Sequence, residues 1–334
     1  MNCNHPEEPV SHSAPTTSKG GGVSRRNFLK ATLMAVAGTL SSTVSTAQEA
    51  SERLIIDELS DVVDRTEVPI AELVKWGEKD VSCRFVVIND IHLRPDGPTG
   101  ECETIMLRLK EQRPDFIVFN GDLQYGQGKS QQVLLDAFGL LKRLAQKAEV
   151  PCYFGMGNTD MLGGDDPAQP FRTAFNTEPY YSFDAGGVHF VMLYTEKTVP
   201  DRYGIIADPE LAWLKTDLDA MPRGKPVILF GHHALYVDAK WGSDSWGVEN
   251  SRELFELLEP YHLIATFSAH RHLNRMDIGP RGALHVINGA MMGDHSDNVG
   301  RKNDGIGYRW VSITNKQIAT TWVRVGFRDL APGF

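Results

Sequence analysis

Phe85-Val86-Val87-Ile88-Asn89-Asp90-Ile91-His92 is an apolar run that ends in a carboxylate and an imidazole two positions apart. Short uninterrupted runs of β-branched and aromatic residues fit strands buried on both faces. The same grammar recurs three times. Phe116-Ile117-Val118-Phe119 precedes Gly121-Asp122, Val227-Ile228-Leu229-Phe230 precedes Gly231-His232-His233, and Leu263-Ile264-Ala265-Thr266-Phe267 precedes Ala269-His270-Arg271-His272. A fifth cluster, Gly157-Asn158-Thr159-Asp160, follows the run from Pro151 to Phe154. Polar residues just past the carboxyl ends of strands converge on one crevice. Seven metal-type side chains placed this way point to an enzyme with a dinuclear metal site.

The segments between these runs complete an α/β pattern. Residues 101–112 and 208–220 read as helices, as do 251–259. Residues 130–148 form an amphipathic helix with Val133, Leu134, Ala137, Phe138, Leu141 and Leu144 on one face. Tyr180 to Asp184 and Val188 to Tyr194, around Gly186-Gly187, read as a β-hairpin. Ala283 to Ile287, Tyr308 to Ile313 and Ile318 to Val325 read as closing strands. Alternating strands and helices combined with adjacent hairpins indicate mixed sheets with helices outside.

The amino-terminal 47 residues are set apart. Arg25-Arg26-Asn27-Phe28-Leu29-Lys30, a weakly apolar stretch from Ala31 to Leu40, and Ser45-Thr46-Ala47 describe a twin-arginine signal peptide cleaved after Ala47. The apolar stretch is too short to span a bilayer. The expectation is therefore export to the periplasm or exterior through the twin-arginine translocation machinery, with no stable membrane anchor. Residues 48–82, with Leu54, Ile55, Leu59 and Val63 at helical spacing, read as an amino-terminal helical extension. The catalytic domain is expected over 83–327 and a carboxyl-terminal tail over 328–334.

The whole chain carries a formal charge of −9. Lys19, Arg25, Arg26 and Lys30 against Glu7 and Glu8 give the signal +2, which leaves −11 on the remaining residues. That balance argues against a nucleic-acid polymer as partner. It does not oppose a small phosphate ester, because bound cations dominate the local field. Cys83, Cys102 and Cys152 have no Cys-x-x-Cys spacing, so neither a disulfide framework nor a zinc ribbon is indicated.

Asp90 and His92, like His270 and His272, stand at period-2 spacing and would share one side of an extended strand end. Carboxylate, imidazole and amide donors suit Mn²⁺, iron or Zn²⁺. In order, the five clusters resemble the calcineurin-like metallophosphoesterases, whose pattern runs Asp-x-His, Gly-Asp, Gly-Asn-His-Asp/Glu, Gly-His and Gly-His-x-His. The resemblance covers roughly residues 83–325. It implies a four-layer α/β/β/α sandwich, two mixed β-sheets flanked by helices, with the site at the carboxyl ends of the central strands. It also implies that Asp90, His92 and His272 hold one metal, that Asn158, His232 and His270 hold the other, and that Asp122 bridges both. The implied chemistry is in-line attack on phosphorus by a metal-bridging hydroxide.

Thr159 stands where the family has a histidine that contacts phosphate, and threonine is no general acid near neutral pH. The expected catalytic set is Asp122, Asn158 and Thr159, with His233 or His295 to examine as the replacement acid. The substitution tilts the reading toward a phosphodiester or pyrophosphate substrate. A phosphomonoesterase of acid-phosphatase type remains open, as does a non-catalytic metal-containing binding protein of the cell envelope. Tyr125 has the spacing of the iron-binding tyrosine of purple acid phosphatases, but His92, which those proteins lack, favours a packing role for it. Asp160 is expected to orient a site group, and Arg271 to point to the opposite face from its neighbours. Trp241, Trp246 and Tyr236 form either a substrate wall or a small satellite core.

Overall fold

Twelve strands and five α-helices order the described part of the chain, as seen in a computed structural model. The described residues are 55–58, 81–126, 130–197, 203–236, 246–291, 307–314 and 317–325. The strands are β1 (Ile55–Glu58), β2 (Val81–Ile88), β3 (Phe116–Asn120), β4 (Cys152–Gly155), β5 (Tyr181–Ala185), β6 (Val188–Met192), β7 (Pro226–Phe230), β8 (His262–Ser268), β9 (Arg275–Ile278), β10 (Leu284–Ile287), β11 (Gly307–Thr314) and β12 (Gln317–Arg324). The helices are α1 (Gly100–Gln112), α2 (Gln131–Ala145), α3 (Gln169–Phe175), α4 (Asp208–Asp219) and α5 (Ser251–Leu257).

Two six-stranded sheets form, in the orders β1-β12-β11-β2-β3-β4 and β5-β6-β7-β8-β10-β9. Both are mixed. In the first, β2, β3 and β4 are parallel while β11 runs antiparallel to β2. In the second, β6, β7, β8 and β10 are parallel, and the edge strands β5 and β9 are antiparallel to their neighbours. The apolar runs read as doubly buried strands are just that: every residue of β3 is buried, and so are Val227 to Phe230 of β7.

Alternation along β2 feeds two separate cores. Phe85 and Val87 point between the sheets, where they meet Phe116, Phe190, Phe230 and Phe267. Val86 and Ile88 point outward, where α1 and α2 cover them with Ile105, Leu109, Phe138 and Leu141. On the far side of the second sheet, Val191, Leu193, Val227 and Leu229 pack on Leu214 and Leu218 of α4 and Leu254 of α5. The layers therefore run α/β/β/α. Helix signals are local: Ser130 accepts from the Val133 N–H as the amino-terminal cap of α2, and α1 stops at Arg113 in a left-handed conformation just before Pro114.

The helical reading of 48–82 is corrected at β1 and at Val81-Ser82, which open β2. Ile55–Glu58 is a strand, parallel to β12, because pairing with an exposed sheet edge overrides a weak helical pattern. The rest of that range, the expected signal over 1–47 and the expected tail over 328–334 lie outside the described residues. Among the described residues, no helix is long and apolar enough to cross a membrane.

Candidate metal centre

The carboxyl ends of β2, β3, β4, β7 and β8 each release a loop into one region, and all seven metal-type residues lie on these loops. The expected period-2 geometry is corrected here. β2 stops at Ile88 and β8 at Ser268, and Asp90 (φ 50°), His92 (φ 49°), His270 (φ 67°) and His272 (φ 49°) all adopt left-handed backbone. Asp122 does so too, at φ 50°. Such conformations are uncommon and costly for residues other than glycine, so surrounding contacts must impose them. Those contacts are present: Asp90 N donates to Gly121 O at 3.0 Å, Ile91 N and His92 N donate to Asp122 O, and Ala269 N donates to His232 O.

Two glycines are required by closeness. A Cβ on Gly121, itself at φ 86°, would lie 2.5 Å from His232 Nδ1. One on Gly157 would lie 2.2 Å from Asp122 N. A side chain at either position would push apart the loops that carry Asp122, Asn158 and His232.

Donor atoms gather in two groups. Asp90, His92, Asp122 and His272 offer atoms all within 4.8 Å of one another, and so do Asp122, His232 and His270. Asn158 completes the second group, its Oδ1 3.1 Å from His232 Nε2 and 2.9 Å from His270 Nδ1. Each group could hold a cation, and Asp122 belongs to both. The contacts fit a metal better than they fit one another. His92 Nε2 and His272 Nε2, for example, face each other at 3.3 Å, a spacing that one cation between them would satisfy. Two carboxylates, four imidazoles and one amide make a mixed oxygen–nitrogen set that suits Mn²⁺, iron or Zn²⁺.

Burial pushes the Asp122 carboxyl up, but His232, His92 and His270 outweigh it and hold the group well below the usual carboxylate range. Burial lowers and Asp122 raises the His232 imidazole, which ends at about 10. His270 goes the other way, held well below the usual histidine range by burial and by His233 and His232.

The residues behind the donors are also placed. Asp160 accepts backbone N–H bonds from Leu123, Gln124 and Gly157, and so clasps the loops after β3 and β4 together. The Thr159 N–H donates to Asp122 Oδ1 at 2.9 Å, and its hydroxyl lies 3.0 Å from that oxygen and 2.8 Å from the Gln124 carbonyl. His233 is fully buried, with its Nδ1 3.1 Å from Glu196 Oε1 and 3.2 Å from Thr195 Oγ1. Glu196 and Thr195 were missed in the sequence. They follow β6 in the way His232 follows β7, so the same rule would have found them.

Tyr125 packs edge-on against the His92 ring and carries the Arg94 guanidinium on its face at 3.7 Å. Trp246 lies against the His270 ring, with the Arg271 guanidinium 5.6 Å from its own. Tyr236 stacks on His285 instead, so of the three aromatics in that loop Trp246 reaches the site and Tyr236 joins a satellite cluster. Trp241 and His295 lie outside the described residues.

The calcineurin-like phosphoesterase family model matches residues 83–274, and the chain belongs to that family. It is 34% identical over 236 residues to purple acid phosphatase 23 of Arabidopsis thaliana, covering 58% of this chain and 50% of that protein. Purple acid phosphatase 22 of the same plant is 28% identical over 231 residues, covering 61% and 49%. The chain thus spans about half the length of these curated relatives. Among solved structures, a dimetal phosphatase from Danio rerio superposes with a TM-score of 0.53 at 13% identity, covering 72% of this chain and 99% of that one. A purple acid phosphatase from yellow lupin (Lupinus luteus) seeds superposes with a TM-score of 0.51 at 17% identity, covering 76% and 55%.

Proposed function

We propose that the protein hydrolyses phosphate esters at a two-metal centre. Asp90, His92 and His272 would hold one cation and Asn158, His232 and His270 the other, with Asp122 shared. The sharing of one buried carboxylate between two donor groups carries this reading. A pair of bound cations supplies Lewis-acid stabilisation of phosphoryl oxygens and a water that is acidic near neutral pH. The protein's own part is positional. Asp122 is kept ionised by its histidines, Thr159 and Asp160 hold the loops that present it, and the left-handed turns aim the donors into one crevice.

The finer reading is a phosphodiester or pyrophosphate substrate. Thr159 is directed at Asp122 and the Gln124 carbonyl, and His233 is buried beside Glu196. A threonine hydroxyl is no acid near neutral pH, which favours a leaving group that departs without a proton from that position. The names of the curated relatives favour a second reading, a phosphomonoesterase of acid-phosphatase type. Export by the twin-arginine machinery to the periplasm or exterior belongs to the same proposal, supported by Arg25-Arg26 and the residues that follow.

The test is to load the protein with Mn²⁺ and compare rates on an aryl phosphodiester and the matching monoester. A diester preference supports the finer reading, and a monoester preference replaces it with the second. Asp122→Asn should abolish turnover of either substrate. Turnover that survives this substitution would remove the two-metal reading. A wild-type protein that binds metal without any turnover would support a non-catalytic cell-envelope binding protein instead.

A further inference from the structure

Arg309 is a cation inside the sandwich. It lies on β11 in register with Val87 of β2, one step below the end of the strand that delivers Asp90, and is 2% exposed. Burying a guanidinium is costly unless its donors are satisfied in good geometry. Its Nε donates to Asn288 Oδ1 at 2.6 Å, and its two terminal nitrogens reach Asn274 Oδ1 at 3.2 Å and Thr320 Oγ1 at 3.4 Å. Asn274 and Asn288 belong to the second sheet's loops, so one side chain from the first sheet reaches across to the other.

What Arg309 holds leads to the metal centre by two routes. Asn274 comes two residues after His272, and its Oδ1 also accepts the Gly289 N–H at 2.9 Å. The Gly289 carbonyl accepts from Asn89 Nδ2 at 2.9 Å, and the same Nδ2 lies 2.5 Å from Asp90 Oδ2. Asn89 O in turn accepts from Met291 N. Through Asn274 the guanidinium fixes the loop that carries His272. Through Gly289 and Asn89 it fixes the outer oxygen of Asp90, and Asp90 Oδ1 and His272 Nε2 meet at 3.2 Å.

We infer that Arg309 is the positioning residue of the first metal site, joining its ligands Asp90 and His272 from opposite sheets, and that it has no such role at the second. The inference rests on the two-metal reading above. Groups that orient metal ligands commonly change affinity by about 10- to 100-fold when removed. Such an effect confined to one of two adjacent sites separates positioning from general stabilisation.

The experiment titrates the full-length protein with Mn²⁺ by calorimetry and follows the exchange coupling of the pair by electron paramagnetic resonance. Wild type should bind two ions per chain and show a coupled signal; failure here overturns the two-metal reading itself. Arg309→Met should weaken one ion by about 10- to 100-fold, leave the other unchanged, and give the signal of an isolated ion at limiting metal. Asn274→Ala, a loop substitution that leaves the guanidinium buried, should do the same and covers the case in which Arg309→Met does not fold. In an Asp90→Ala background, Asn274→Ala should add no further loss. Two ions bound with wild-type affinity in a folded Arg309→Met or in Asn274→Ala, or both ions weakened equally in either, would overturn the inference.

Discussion

Thr159 and Asp122 are joined twice: the threonine N–H and its hydroxyl both reach the same carboxylate oxygen, at 2.9 and 3.0 Å. A hydroxyl has one proton to give, and here it is shared between Asp122 and the Gln124 carbonyl. Thr159→Val keeps the shape and removes that donor. Metal affinity should fall by about 10-fold, and turnover should recover when excess metal is supplied. If turnover stays low at saturating metal, as judged by initial rates, threonine has a direct part in the chemistry.

Metal uptake should release a proton. His232 is raised to about 10 by Asp122 against the lowering effect of burial, so at pH 7 the metal-free imidazole is charged. A ligand imidazole must be neutral. Calorimetry in two buffers of different ionisation enthalpy should show about one proton released for the ion bound beside His232, with affinity rising as pH approaches 10. The metal-free fold behaves oppositely. Stabilisation from the raised His232 is fully present below its unfolded value near 6.5 and is lost as pH rises through about 10.

Glu210 is a buried carboxyl on the first turn of α4, accepting only partial compensation from the Tyr194 N–H at 2.8 Å. Burial pushes it up to about 8. A raised carboxyl favours the protonated folded state, so the fold should lose stability as pH rises from about 4.5 toward 8, at up to about 1.4 kcal/mol per pH unit. Glu210→Gln should flatten that slope in urea denaturation measured between pH 5 and pH 8. An unchanged slope would mean the carboxyl stays ionised.

Phe85 sits at the middle of the inter-sheet core, its ring 5.1 Å from Phe116 and 5.4 Å from Phe190. Phe85→Ala should cost about 3–5 kcal/mol. Equilibrium denaturation checks it, and a loss under 1 kcal/mol would show that the two sheets close over the gap.

The gathering of the seven metal-type residues at strand ends was legible because strand burial is written locally. An apolar run such as Phe116 to Phe119 announces a strand, and the polar residue after it announces which end faces the crevice. β1 was not legible: four residues pairing with the edge of β12 leave little local signal beside a helical spacing. β9 and α3, four and seven residues long, were not read from the sequence either.

By itself, then, the sequence marked which polar side chains follow strand ends and in what order, and it indicated mixed sheets with helices outside. Backbone direction at the site came only with tertiary structure. Nothing local drives Asp90, His92, Asp122, His270 and His272 into left-handed conformation, since each pays for it alone; bonds from one loop to the next impose it. The turning of Thr159 onto Asp122, the burial of His233 against Glu196 and the reach of Arg309 between sheets were decided in the same way. Each depends on atoms brought together from distant parts of the chain, and a pattern of spacing along it carries no record of them.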